Sequence, residues 1–384
     1  MAFSADAAMR AEEAMAAIRP LLVVHDAKEG HLVYDLRLMS DPTPELRDTN
    51  EQTPLELRIT PVWTLELRPL PFPAVPPLHY RPLAVAGGNL VGVARAADDP
   101  RTPRAPHSPG PLFRRASDGV PAGHRCVGYL VDSGARDPGP PIMVPVGDDT
   151  VIRMDTVIYG DTSRFEALRR VPGGGGCWRT DPLPRPPPTR HMRPFDSAPI
   201  TAHFAMGTRV WISVAGMGTF SLDTEMGTWQ VQSLAELPLE GRALFVPELG
   251  TLVGFKAGTR QLCTCEFSHG FPALKRTWSE ADTWEWKDYG FYDPSTEMAS
   301  LAYLGQGRVC VCRAVKLTAQ HRSLPIHCPN PIYFNYWGCF LVLELTRAPG
   351  EGLQLTKRWE SSFHGEWTQG ECRDIYLLQP AISA

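Results

Sequence analysis

Two Cys-x-Cys pairs, Cys263/Cys265 and Cys310/Cys312, are the side chains in this 384-residue chain best spaced to do chemistry together. Positions i and i+2 of a strand point the same way, so each pair presents two thiols on one face. Four such thiolates would make a structural zinc site. Structural zinc is more usually gripped by Cys-x2-Cys knuckles, and equivalent strands of neighbouring repeats would lie apart, so small buried thiols are the preferred reading. His191, His203, His321, His327 and His364 are scattered, and none stands at His-x-x-x-His spacing or close to suitable carboxylates. Asp35, Asp132, Asp161 and Asp223 recur where strands are expected to end. A pair of them would suit general acid–base work, but a short carboxylate at a strand end more commonly accepts the N–H groups of a turn. There is no Gly-x-Ser-x-Gly elbow for an acyl-transfer serine. The run Gly173 to Gly176 lacks the Lys-Ser/Thr of a phosphate loop. No catalytic residue, cofactor site or metal ligand is assigned, and no cofactor is expected.

Four residues are assigned to partner binding instead. Trp284 and Trp286 share one face of an extended segment, with Trp278 and Tyr289 close by. Exposed, such aromatics anchor a protein partner; buried, they pack one repeat on the next. Arg114 and Arg115 lie in a Pro- and Arg-rich stretch, residues 96–123, and would meet an acidic partner if that stretch is more than a solvated loop. A formal charge of −4 and a pI near 6.3 give no electrostatic case for nucleic acid or an anionic membrane surface. No apolar run is long enough to span a bilayer. Residues 1–19 are Ala-rich and carry Asp6, Glu12 and Glu13, which suits a short helical tail rather than a transit peptide. Nine cysteines, an odd number, suit free thiols in a reducing compartment. The expected location is the cytoplasm, with the nucleus as the alternative, and the expected state a monomer.

The elements that must hold these residues read as short strands. With 38 prolines and 33 glycines the chain is punctuated too often for long helices. The clearest unit is Ile200 to Pro238. Val210 to Val214 is a β-branched and aromatic run, Gly216 and Gly218 mark a turn, and Thr219 to Asp223 places Phe220 and Leu222 on one face. A second Gly turn leads to a strand carrying Trp229, and Leu237-Pro238 closes the unit. Comparable Leu-Pro marks end at Pro71 and Pro184, separated by 113 and then 54 residues, close to two and one kelch repeats of ~50 residues. Six units follow, at about 20–73, 78–146, 150–188, 198–238, 242–290 and 297–363, with five or seven as alternatives. A sheet with two apolar faces and exposed edges is best buried by radial stacking, which predicts an all-β, kelch-like β-propeller. The expected organisation is a tail at 1–19, one propeller domain at 20–365, and a C-terminal tail at 366–384. Strands from opposite chain ends should complete the first and last units.

Several stretches carry a resemblance. RFEAL (Arg164 to Leu168), ITAHFAMGTRVWIS (Ile200 to Ser213), GTFSLDTEMGTW (Gly218 to Trp229), PLEGRALFVPELGTLVGF (Pro238 to Phe255), LCTCE (Leu262 to Glu266) and FLVLELT (Phe340 to Thr346) resemble a family of cereal-plant proteins with kelch-like propeller domains. The resemblance covers about 150–366 and, more faintly, 20–36. It implies a propeller and a plant origin, and it implies no activity, because no chemistry is assigned to that family. The strict kelch Gly-Gly doublet is replaced by Gly216-x-Gly218. The function expected is a non-catalytic scaffold that binds a protein partner through propeller loops. The alternatives are an enzyme or metal-binding propeller with an axial site, and a substrate adaptor for protein degradation, for which residues 1–19 are too short to hold an F-box.

Overall fold

The computed structural model describes residues 20–26, 30–40, 55–65, 80–86, 89–95, 125–131, 141–160, 163–172, 178–187, 192–193, 196–278, 298–318, 334–348, 352–363 and 372–382. Strands are numbered β1 to β24 along the chain. Among the described residues there is no α-helix, and a 3-10 turn spans Pro247–Leu249. The expected helix at 1–19 and the insertion at 96–123 lie outside them. The chain groups into two compact units, residues 67–278 with 380–384, and residues 1–66 with 279–379.

The larger unit is a succession of antiparallel meanders. Sheet order β7-β8-β10-β11 is built from Ile142–Val146, Thr150–Met154, Phe165–Arg170 and Trp178–Pro182. The next runs β12-β13-β14-β15, from Ser197–Met206, Arg209–Val214, Gly218–Asp223 and Thr228–Ser233. The third runs β16-β17-β18-β19, from Leu239–Val246, Thr251–Lys256, Leu262–Ser268 and Phe271–Thr277. A short parallel pairing, Ala202↔Gly241 and His203↔Arg242, joins β12 to β16. Before these come β4 (Tyr80–Ala86), β5 (Asn89–Arg95) and β6 (Arg125–Val131), in which β5 and β6 are parallel. Residues 96–124 between them make that geometry attainable, since a parallel pair needs a long crossover.

Within the larger unit the sheets pack face to face in succession, and the two middle ones are covered on both faces. Ile152, Met154, Phe165 and Ala167 are buried with Val210, Ile212, Phe220 and Leu222. The other face of the same sheet, Met143, Val151, Leu168 and Trp178, packs on Ala84 and Ala86. Ala202, Phe204 and Trp211 in turn pack on Leu239, Ala243, Leu252, Cys263 and Cys265. Burying both faces makes β13 and β14 apolar at nearly every position, so they read as continuous runs rather than as alternation. Each large side chain so buried contributes roughly 1.5–3 kcal/mol. β12 serves both interfaces because its register slips between Ile200 and Ala202. The extra residue turns the strand over, so Ala198 and Ile200 face one cluster while Ala202 and Phe204 face the other. The first strands β4, β7, β12 and β16 lie side by side in that order.

In the smaller unit the two chain ends share a sheet. Its order is β24-β1-β2-β3, from Cys372–Leu378, Leu21–Asp26, Gly30–Ser40 and Leu55–Leu65. A second sheet is the meander β20-β21-β22-β23, Met298–Gly305, Arg308–Thr318, Phe334–Ala348 and Gly352–Phe363. Two hydrogen bonds tie them: Leu377 N–H to Ser300 Oγ at 2.9 Å, and Tyr303 N–H to Gln379 Oε1 at 2.6 Å.

Two boundaries read from the sequence are corrected. Residues 372–378 are not part of a tail but the strand β24. CRDIYLL is short and opens on charged residues, so it has no strand pattern of its own; the free edge of β1 supplies its partners from Leu21↔Leu378 to Asp26↔Cys372. Residues 142–146, placed at the end of the second repeat, are β7, the first strand of the sheet β7-β8-β10-β11. Gly147, at φ 60°, turns them straight into β8.

Candidate functional site

All four residues assigned to partner binding, Trp284, Trp286, Arg114 and Arg115, lie outside the described residues, as do Asp132, Asp161, His191, His321, His327 and His364. Asp35 falls on β2, its side chain likewise outside the described ones; the other candidates are placed. Cys263 and Cys265 are fully buried on β18 against Phe204 and Trp211. The hydrogen bond between the two thiols, together with burial, holds Cys263 well above the ordinary thiol range. Burial pushes Cys310 up to about 12. Such thiols are protonated and behave as small apolar side chains. The structure brings neither pair together with other ligand types: among the described residues no three His, Cys, Asp or Glu side chains could hold a metal ion. Asp223 ends β14, and its Oδ1 accepts the N–H groups of Glu225 and Met226 in the following turn at 3.1 and 3.0 Å. That is the turn-capping role expected from its position.

Two polar groupings were not picked out from the sequence. Arg153 on β8 is 2% exposed and bonds Glu166 Oε2 at 2.6 Å across the sheet, with Asp155 Oδ1 at 3.6 Å. Asp155 Oδ2 accepts the Arg164 N–H at 2.8 Å, but burial outweighs this and raises the Asp155 carboxyl above its usual range. The signal was present as an arginine in the middle of the apolar run VIRM, where it falls opposite Glu166. Periodicity alone cannot supply the partner.

The second grouping is His203 with Arg242, side by side on the first strands β12 and β16. Both keep part of their surface accessible, yet protein encloses them so closely that desolvation dominates. Burial, and then the Arg242 charge, lowers His203 to about 3, and burial lowers Arg242 to about 10. Unfolded, His203 takes up a proton near pH 6.5; folded, it refuses one until far lower. Stability should therefore fall as the pH drops from 6.5 towards 3, by about 2 kcal/mol between pH 6.5 and 4.5. Urea midpoints measured at pH 7.5, 6.5, 5.5 and 4.5 test this. His203→Gln should remove most of the slope; an unchanged slope would show that other groups produce it.

The surface contributes a third feature. Met226, Val231 and Leu234 are exposed by 74%, 54% and 88%, all along or beside β15. Among the described residues β15 is paired on one side only, to β14.

Meanders packed face to face, with their first strands side by side, define an all-β protein of the β-propeller class. A family profile described as Protein of unknown function (DUF1668) matches residues 133–337. That is more than half of the chain, and the chain belongs to this family. No curated protein matches it. Among solved structures it is similar to the N-terminal domain of Nup159, at 9% identity and TM-score 0.27, covering 56% of this chain and 47% of that one. It is also similar to the β-propeller domain of Cps50 (Swd1) from Myceliophteria thermophila, at 10% identity and TM-score 0.27, covering 59% and 61%. A 6-phosphogluconolactonase, so named provisionally, from Bacteroides uniformis gives 9% identity and TM-score 0.33, covering 90% and 82%. The chain thus spans less than two thirds of the first two. Likenesses this distant carry no argument about activity.

Proposed function

We propose that this protein is a non-catalytic scaffold that binds a protein partner. The observation that carries the reading is where its polar chemistry goes. Asp223, Arg153, Glu166 and the buried thiols are each engaged in holding the fold, while the most exposed large apolar side chains gather on and beside one edge strand. Within this reading Trp284, Trp286, Arg114 and Arg115 contribute to the binding surface on the loops, the blades number six and are kelch-like, and the protein is a monomer of the plant cytoplasm. Support for repeated blades comes from the larger unit, where the first strands β4, β7, β12 and β16 lie side by side. No helix among the described residues is long and apolar enough to cross a membrane.

The second reading is a site on the inner strands. His203 beside Arg242 favours it, because a neutral imidazole next to a guanidinium could receive an anionic small molecule. One comparison separates the two. Cross-linked partners recovered by the wild type should be lost with Trp284→Ala/Trp286→Ala or Arg114→Glu/Arg115→Glu and kept with His203→Ala. Stoichiometric metal in the purified protein, or a turnover activity abolished by His203→Ala, would overturn the scaffold reading.

A further inference from the structure

We propose that the free edge of β15 is a docking strand for an extended segment of another protein, uncharged at its centre and flanked on both sides by lysine or arginine. The proposal rests on the scaffold reading and gives it a place and a partner chemistry. An edge strand offers a row of unpaired N–H and C=O groups, and proteins ordinarily block it with charge or proline. The far strands of the other sheets each carry at least one charge or proline, although β6 has its charge only at the first residue. β3 carries Glu56, Arg58 and Pro61; β6 begins on Arg125; β11 carries Arg179, Asp181 and Pro182; β19 carries Pro272, Lys275 and Arg276; β23 carries Lys357, Arg358 and Glu360. β15 reads TWQVQS and has neither.

Its edge is also held in place. Trp229 Nε1 donates to the Pro184 carbonyl at 2.7 Å, and its ring meets Phe165 edge-on at 5.8 Å. Gln232 Nε2 donates to Ser221 Oγ at 2.7 Å. A strand already fixed in extended form loses little freedom when another is added, which lowers the cost of binding. Val231 on β15 and Leu234 just past its end then offer apolar contacts to the incoming strand.

Charge selects the occupant. Exposed Glu225 and Glu236 stand at the two ends of the neutral strand, with Asp223 beside the first. Arg169 reaches the Thr224 carbonyl of the same turn at 2.7 Å, but Asp181 lies 3.6 Å from that guanidinium and offsets it. A second copy of β15 is disfavoured in either direction. Antiparallel pairing brings the Glu225 end of one copy to the Glu236 end of the other, and parallel pairing aligns each glutamate with itself; like charges so opposed destabilise a strand pair. Cationic flanks meet both ends favourably.

The test uses the full chain and the labelled peptide Lys-Lys-Val-Thr-Val-Thr-Val-Lys-Lys, with a Glu-flanked counterpart and one whose central residues are proline. Fluorescence anisotropy gives affinity, and hydrogen exchange reports residues 228–233. The Lys-flanked peptide should bind about tenfold tighter than either control and more weakly as salt rises, and it should protect 228–233. Val231→Lys should weaken it about tenfold, a charge on the edge being the device that other edges use. Glu225→Gln/Glu236→Gln, which keeps the oxygen that Gly216 N–H bonds, should erase the preference for lysine flanks. Equal binding of the two flanked peptides, no protection of 228–233, or dimerisation of the protein abolished by Val231→Lys would overturn the proposal. Those results would leave partner capture by the loops intact, whereas metal or turnover at His203 would remove the scaffold reading itself.

Discussion

Arg153→Met is expected to destabilise the larger unit by about 3 kcal/mol, because it leaves a carboxylate at the blade interface without its cation. The Arg153 guanidinium is 2% exposed and its bond to Glu166 is 2.6 Å long. Methionine fills similar space but returns no charge. Glu166, 21% exposed at its side chain, keeps some water, which places the cost at the low end for a broken buried pair. Asp155 also loses the Arg153 charge, one of the influences that lower its carboxyl, so burial should raise that group further. Removing both partners is a different experiment. Arg153→Met/Glu166→Leu should recover most of the loss, since a buried ion pair replaced by apolar side chains of similar size is often close to neutral. Urea unfolding followed by tryptophan fluorescence gives both values. A single substitution costing under about 1 kcal/mol would show that the pair behaves as a surface bridge.

Gly218→Ala is expected to cost about 3 kcal/mol or more, whereas Gly216→Ala, two residues earlier, should cost about 1. Both glycines have positive φ, +70° at Gly216 and +103° at Gly218, so an L side chain is strained at either. Only at Gly218 is there also no room. A Cβ there would stand 2.4 Å from the Ser233 carbonyl oxygen and 2.9 Å from the Leu234 Cα. Both are backbone atoms, which cannot swing away as a side-chain tip can. Relief requires the end of β15 to move off β14, at the bulge between Thr219 and Phe220. Thermal melts rank the two variants, and hydrogen exchange should show early opening of residues 228–233 in Gly218→Ala alone. Equal losses at the two positions would mean that backbone conformation, and not the close approach, sets the cost. The same variant should weaken any strand added to the β15 edge.

These cases show which features were local enough to read. Val210 to Val214, Thr219 to Asp223 and the strand carrying Trp229 are strands in the structure because β-branched and aromatic runs bounded by glycine specify them within a few residues. Asp223 was readable as a turn cap for the same reason. Trp229 and the Leu-Pro marks are legible only as repeated signs; for Pro184 the structure adds a contact, the Trp229 indole donating to its carbonyl from a neighbouring sheet. Arg153 was passed over in an apolar run because its partner is on the next strand of the sheet. β24 was read as tail because its pairing is with β1, at the opposite end of the chain.

The sequence by itself determined the all-β class, the turns and the apolar runs, because strand propensity and glycine's freedom act over a handful of residues. Tertiary structure decided which faces meet, which glycine is irreplaceable, where a buried arginine finds its counter-charge, and which edge stays open. Those outcomes depend on distances between strands far apart in the chain, and a repeat pattern supplies the strands without supplying the distances.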